Sequence, residues 1–233
     1  MVHMNIETST DLGVAWKYTP AEAIALQKQL ASEVVLQDDV SVVNYVAGVD
    51  VGFENNGEIT RAVIAVLSFP ALELVEVQIA RLSTTFPYVP GLLSFRELPA
   101  VLAAMSQLQI RPDLILCDGQ GVAHPRRFGI ACHLGVLTGM ATIGVGKSRL
   151  CGRYVEPANE RGVWSELIDK QEVIGAVLRS RVGVKPIFVS PGHRISLLTS
   201  IEYVMRCLGK YKLPETTRWA HYYASVEKDF TGS

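Results

Sequence analysis

Short apolar runs rich in branched residues alternate with amphipathic stretches along most of the chain. Residues 45–53 (YVAGVDVGF), 61–69 and 74–82 read as strands, separated only by Asn55-Asn56-Gly57 and by Pro70-Ala71. Strands joined so tightly predict an antiparallel meander. Further strands are expected at 114–117, 142–145, 173–181 and 186–189, while 166–169 shows no decisive pattern. Thr19-Pro20-Ala21-Glu22 supplies a cap, a proline for the first helical position and the acid of a capping box, so a helix should run from there to about residue 36. Ser94 is placed to cap a helix over 95–108, and 130–138 forms another. Residues 196–208 carry Leu197, Ile201, Val204 and Leu208 on one helical face, and a last helix begins near Pro214 and carries His221. A meander followed by alternating strands and helices predicts an α/β fold, a mixed sheet flanked by helices.

The chain has 233 residues, 48% of them hydrophobic, and no Gly/Ser- or Pro-rich linker breaks the alternation. A single domain over 19–228 is expected, behind a flexible N-terminal segment at 1–18. Net charge −1 and pI ≈ 6.5 give no global basic signature. Charge is local instead: Gly119 to Val155 contains no Asp or Glu but holds Arg126, Arg127, Lys147, Arg149 and Arg153. Such a patch suits a phosphate-bearing partner, or is simply a solvated basic face. Cys117, Cys132, Cys151 and Cys207 have no CxxC spacing and read as free thiols. No signal-peptide pattern and no apolar run of about eighteen residues is evident, so a soluble cytoplasmic protein without a membrane partner is expected.

Chemistry concentrates in residues 112–136. The apolar run 114–117 ends on Asp118, then Gly119-Gln120-Gly121, His124 and Arg126-Arg127 lead through Phe128-Gly129 into a helix. This is the layout of a ligand site at the carboxyl end of an α/β strand, although Asp before Gly is also a common turn former. Asp50 interrupts another apolar strand. If the two strands are neighbours, the carboxylates repel and one pKa rises unless a cation lies between them. Oxygen donors without adjacent Cys or His favour Mg²⁺ or Mn²⁺. Glu97 is either a third carboxylate of that group or the capping-box acid of Ser94. Acids sharing divalent metals hydrolyse phosphodiesters. Pro87 and Pro90 stiffen the loop around Tyr88, which is either a core aromatic or a presented one. Gly146-Lys147-Ser148 is not a Walker loop, because Ala141 stands where its first glycine is required; Lys147 remains a candidate phosphate contact. His193 and Arg194 read as a structural turn.

With Asp50, 87-PYVPGLLSFRE-97, 118-DGQGVAHPRRFGIACHLG-135 and 143-IGVGKSRLCG-152 in view, the chain resembles the endonuclease V family; 191-PGHRIS-196 and 213-LPETTRWAH-221 agree. The resemblance spans roughly residues 20 to 225. It implies a ribonuclease-H-like fold and a DNA repair nuclease that cuts the second phosphodiester bond 3′ to deoxyinosine. The products are 3′-hydroxyl and 5′-phosphate ends, and Mg²⁺ is the cofactor, with Mn²⁺ able to substitute. By the same resemblance Asp50, Glu97 and Asp118 are metal-binding acids, His221 is an active-site position and Lys147 lies beside the scissile phosphate. Tyr88, framed by Pro87, Val89, Pro90 and Gly91, is the implied wedge in the duplex. The flipped base is held near Leu93, Gly119 and Gly121, and His124, Arg126 and Gly129 complete the substrate-binding set. Arg126 and Arg127 are expected to position phosphates, and Gly146, where many members have alanine, is expected to tolerate that change. The implied partner is deoxyinosine DNA, double- or single-stranded, then inosine-containing RNA, bound by a monomer.

Three other readings compete. An inosine-binding module would bind without cutting, and an inosine-specific endoribonuclease would share the base and the phosphate chemistry. A phosphotransferase on a related sheet is opposed by the failed phosphate loop.

Overall fold

The computed structural model describes residues 16–225. Residues 1–15 of the expected flexible segment lie outside the described residues; at its end, Trp16 and Tyr18 pack edge-on against Phe95, with ring centroids 5.9 and 5.8 Å away. Thr19 caps α1 (Pro20–Leu30) through the predicted reciprocal bonds with Glu22. The helix tightens into a single 3₁₀ turn, Ala31–Glu33, and stops short of residue 36.

The meander forms as β1 (Tyr45–Glu54), β2 (Ile59–Ser68) and β3 (Leu74–Ser83). Its first turn places Asn55, Asn56 and Gly57 at positive φ, which explains that residue choice. The chain continues through α2 (Leu93–Met105), β4 (Leu114–Cys117), α3 (Ile130–Thr138), β5 (Ala141–Gly146), β6 (Trp164–Asp169), β7 (Glu172–Leu178), β8 (Ile187–His193), α4 (Leu197–Arg206) and α5 (Glu215–Ser225). One mixed sheet results, in the order β3-β2-β1-β4-β5-β8-β7-β6. Its centre, β1-β4-β5, is parallel, and every other pairing is antiparallel. β6 is the strand the pattern left undecided; it is an edge strand, so its residues lack the burial that writes a period into sequence.

Alternation along the strands divides the core between two faces. Val46, Leu114, Leu116 and Ile143 pack under α4 and α5, through Ile201, Val204 and Ala220. Ala47, Val49, Ile115 and Cys117 pack under α2 and α3, through Leu98, Val101, Ala131 and Leu134. The four cysteines are free, and burial pushes the thiols of Cys132 and Cys207 up to about 12, which keeps them unreactive. His193 and Arg194 are not a turn: His193 ends β8 and Arg194 follows it as a bend at positive φ, and both are tied to the segment after α1, where the Val35 N–H donates to His193 Nδ1 (3.3 Å) and the Arg194 N–H donates to the Val35 carbonyl (2.6 Å). No helix among the described residues is long and apolar enough to cross a membrane.

Candidate active site

β4 pairs with β1 in parallel as far as Cys117 opposite Val49 and then ends, so Asp118 emerges beside Asp50. The Asp118 N–H continues the ladder by donating to the Val49 carbonyl (3.0 Å). Both acids line a cavity of about 370 Å³, together with Glu97 from α2, Lys147 after β5 and His221 from α5. Lys147 Nζ donates to the Asp118 carboxylate, and His221 Nδ1 lies 2.8 Å from Asp50 Oδ2. Glu97 does not cap its helix. α2 begins at Leu93, its N-cap Leu92 makes no side-chain bond, and Ser94 is buried against His133 Nδ1 (3.0 Å). Glu97 is thereby released to the cavity, where burial first, then the charges of Asp50 and Asp118, push its pKa up to about 8. Burial also raises Asp118, against the opposing pull of Lys147.

Three carboxylates in one cavity repel one another; Lys147 bonds Asp118, His221 Nδ1 lies against Asp50, and the pKa of Glu97 is raised. Their hard oxygen donors suit a divalent cation of the Mg²⁺ type. Among the described residues no three donor side chains already converge as a ligand set; Lys147 and His221 engage two of the acids instead.

The Glu97 shift has a sign that can be tested. With a folded pKa of about 8 against 4.5, the native state holds a proton that the unfolded chain has lost between those values. Stability therefore falls as pH rises through this window. In chelator, urea unfolding between pH 5 and 9 should show this decline in the wild type, and Glu97→Gln should flatten it. Parallel curves for the two proteins would contradict the shift.

A second cavity, about 220 Å³, adjoins the first and shares Glu97, Asp118 and Ile130 with it. Leu93, Gly119, His124 and Gly129 line it as expected, with Gln27, Gln120, Phe128 and the segment Ser148-Arg149-Leu150. Gly121 does not: it lies behind the wall, where its N–H donates to Ser190 Oγ (2.9 Å) and its carbonyl accepts from the Gly129 N–H (3.0 Å). A Cβ at Gly121 would stand 2.0 Å from the Pro191 carbonyl oxygen, so glycine is required there for close packing.

Tyr88 is presented, not buried: 69% of it is exposed, between Phe86 and Val89, which anchor the loop in a cluster with Ala23, Leu92 and Phe95. Pro87, Val89 and Pro90 thus hold the loop and do not line the second cavity. Gly91 (φ +78°) fastens the loop to the basic segment. Its carbonyl accepts from Gln27 Nε2 (3.0 Å), His124 Nε2 (3.1 Å) and Arg126 Nη2 (2.6 Å). His124 Nδ1 accepts from the Arg126 N–H (3.2 Å), which fixes the proton on Nε2, and burial lowers this histidine to about 4, so it stays neutral.

Two expectations about the basic segment change. Arg126 is committed to Gly91 and to Gln27 Oε1, so it braces the loop. Arg127 pairs with Asp169 (2.9 Å) and Glu172 (2.7 Å) of the β6–β7 hairpin and does not face the cavities. Gln27, on α1, was not among the expected site residues. A polar residue on the same stripe as Ala23 and Leu30 was the available signal.

A family model for endonuclease V matches residues 28–222. A protein named endonuclease V from Rippkaea orientalis is 64% identical over 204 residues, covering 88% of this chain and 89% of its own. The crystal structure of endonuclease V from Streptomyces avermitilis superimposes with a TM-score of 0.86 at 44% identity, over 90% of this chain and 92% of that one. Endonuclease V of Ciona intestinalis, solved with a 23mer DNA containing an inosine followed by a ribo-adenosine, has a TM-score of 0.79 at 31% identity, over 88% and 94% of the two chains.

Proposed function

The chain belongs to the endonuclease V family, and from that premise we propose that it is a repair nuclease for deoxyinosine in DNA. It hydrolyses the second phosphodiester bond 3′ to the lesion and leaves 3′-hydroxyl and 5′-phosphate ends. The observation that carries this reading is the shared wall: the acid cavity and the base-sized cavity both use Glu97 and Asp118. A base turned out into the second cavity brings its own 3′ backbone across the first. The Ciona relative, seen with inosine-containing DNA, supports DNA as the substrate. Inosine-containing RNA presents the same base and the same phosphate chemistry and is a second substrate to test.

The residues divide the work. Tyr88, exposed on its anchored loop, stacks in the opened duplex. Hypoxanthine mispairs, so it costs less to unstack than a paired base. Backbone N–H groups near Leu93 and Gly119 donate to its O6 and would face a second donor, the exocyclic amine, in adenine, which is rejected. Lys147 holds the scissile phosphate close to Asp118, and His221 orients Asp50. Asp50, Glu97 and Asp118 would hold Mg²⁺, or Mn²⁺ in its place. When bound there, the cation supplies water activation and charge stabilisation at the leaving oxygen.

The test is cleavage of end-labelled duplexes carrying one deoxyinosine, in Mg²⁺, in Mn²⁺ and in Ca²⁺, with a ribo-inosine strand alongside. A single Mg²⁺-dependent cut at the second 3′ bond is expected. Tight binding with no cut in either Mg²⁺ or Mn²⁺ would overturn the nuclease reading and leave an inosine-binding protein.

A further inference from the structure

Gln120 lies between the glycines of the turn after β4, and its side chain reaches across to the segment that follows β5. Its Nε2 donates to the Ser148 carbonyl (3.0 Å). Gly146, the last residue of β5, leaves room for the crossing: a Cβ there would lie 2.2 Å from Gln120 Nε2 and 3.0 Å from the amide carbon. The other amide atom, Oε1, is buried without a hydrogen-bond partner. A buried orphan acceptor is costly, so the amide is held for what Nε2 does. What it holds is specific. Lys147, bonded to Asp118, stands between Gly146 and Ser148, and the next residues, Ser148, Arg149 and Leu150, form one wall of the base-sized cavity.

We propose that Gln120 is a positioning residue, seated against Gly146, that fixes the Lys147–Leu150 segment and so ties the wall of the base cavity to the lysine at the catalytic acids. This rests on the nuclease reading. It also predicts a cost for alanine at 146, where tolerance was expected: the new methyl meets the far end of a flexible side chain, the amide swings away, and the Ser148 bond is lost with it.

The experiment is a double-mutant cycle on single-turnover cleavage of a deoxyinosine duplex, with duplex affinity and thermal midpoint measured in parallel. Gly146→Ala and Gln120→Ala should each slow cleavage about tenfold, as expected for a displaced catalytic group, while affinity and midpoint change little. In the Gln120→Ala background there is no amide to strike, so Gly146→Ala should add nothing. Full rate in Gln120→Ala, or effects that multiply in the double variant, would overturn the proposal while wild-type cleavage stands. A wild-type chain that does not cut overturns the nuclease reading and this proposal with it.

Discussion

Asp118→Ala is expected to slow Mg²⁺-dependent cleavage of a deoxyinosine duplex on the order of a thousandfold, yet to leave the metal-free protein as stable as the wild type or more so. The activity loss follows from position. Asp118 sits where β4 ends, it joins Asp50 and Glu97 in one cavity, and it carries the bond from Lys147. The stability gain follows from charge. Burial holds the Asp118 carboxyl above its ordinary range, and its charge is one of those that raise Glu97. Deleting it relieves that repulsion, and Lys147, 43% exposed, keeps its hydration. An active site held in an electrostatically unfavourable state shows this trade-off. Single-turnover rates and thermal unfolding in chelator check the two halves separately. Activity within tenfold of wild type would remove Asp118 from catalysis; a lost rate accompanied by a lowered midpoint would make its role structural.

Much of this site was legible because burial makes an acid conspicuous. Asp50 and Asp118 stand out in sequence as charges inside or at the end of apolar strands, and the parallel β1–β4 pairing does bring them together. Tyr88 was legible through its prolines, which fix a loop whatever packs beneath it. Glu97 was not, because Ser94 three residues earlier imitates a capping box; only the start of α2 at Leu93 and the burial of Ser94 decide the matter. Other features depend on neighbours distant in the chain. Arg127 looked free because the acids that take it, Asp169 and Glu172, lie in a hairpin whose first strand had no readable period. Arg61 lies within the predicted strand 61–69 and gave no hint of chemistry. It is buried and donates to the carbonyls of Tyr223 (2.7 Å) and Ala224 (3.4 Å) near the end of α5. A cation at a helix C-terminus is favourable, and this one helps to set the helix that carries His221.

The seat of that helix yields the second large effect: Gly48→Ala should both destabilise the protein and impair cleavage. Gly48, Asp50 and Gly52 alternate onto one face of β1, and α5 runs along it. Thr216 lies over Gly48, His221 bonds Asp50, and Ala224 lies near Gly52. The spacings agree, since eight helical residues and four strand residues each advance about 12–13 Å. A Cβ at Gly48 would stand 2.1 Å from the Thr216 carbonyl oxygen, 2.2 Å from its carbon and 2.7 Å from the Thr217 nitrogen. These are backbone atoms of a buried turn, so no rotamer relieves the clash and the helix itself must lift. Overpacking of this kind costs about 3 kcal/mol, a fall of roughly 6–12 °C in midpoint for a chain of this size. Lifting α5 also draws His221 from Asp50, and a misplacement near 1 Å at a catalytic group slows reaction by up to about a hundredfold. Gly52→Ala is the control, because its Cβ would meet only the Ala224 carbonyl oxygen at 3.7 Å. Thermal unfolding, with cleavage assayed well below the variant's midpoint, separates the two effects. If Gly48→Ala behaves like Gly52→Ala in both, α5 is not seated on β1 at that glycine, and the placement of His221 beside Asp50 loses its support.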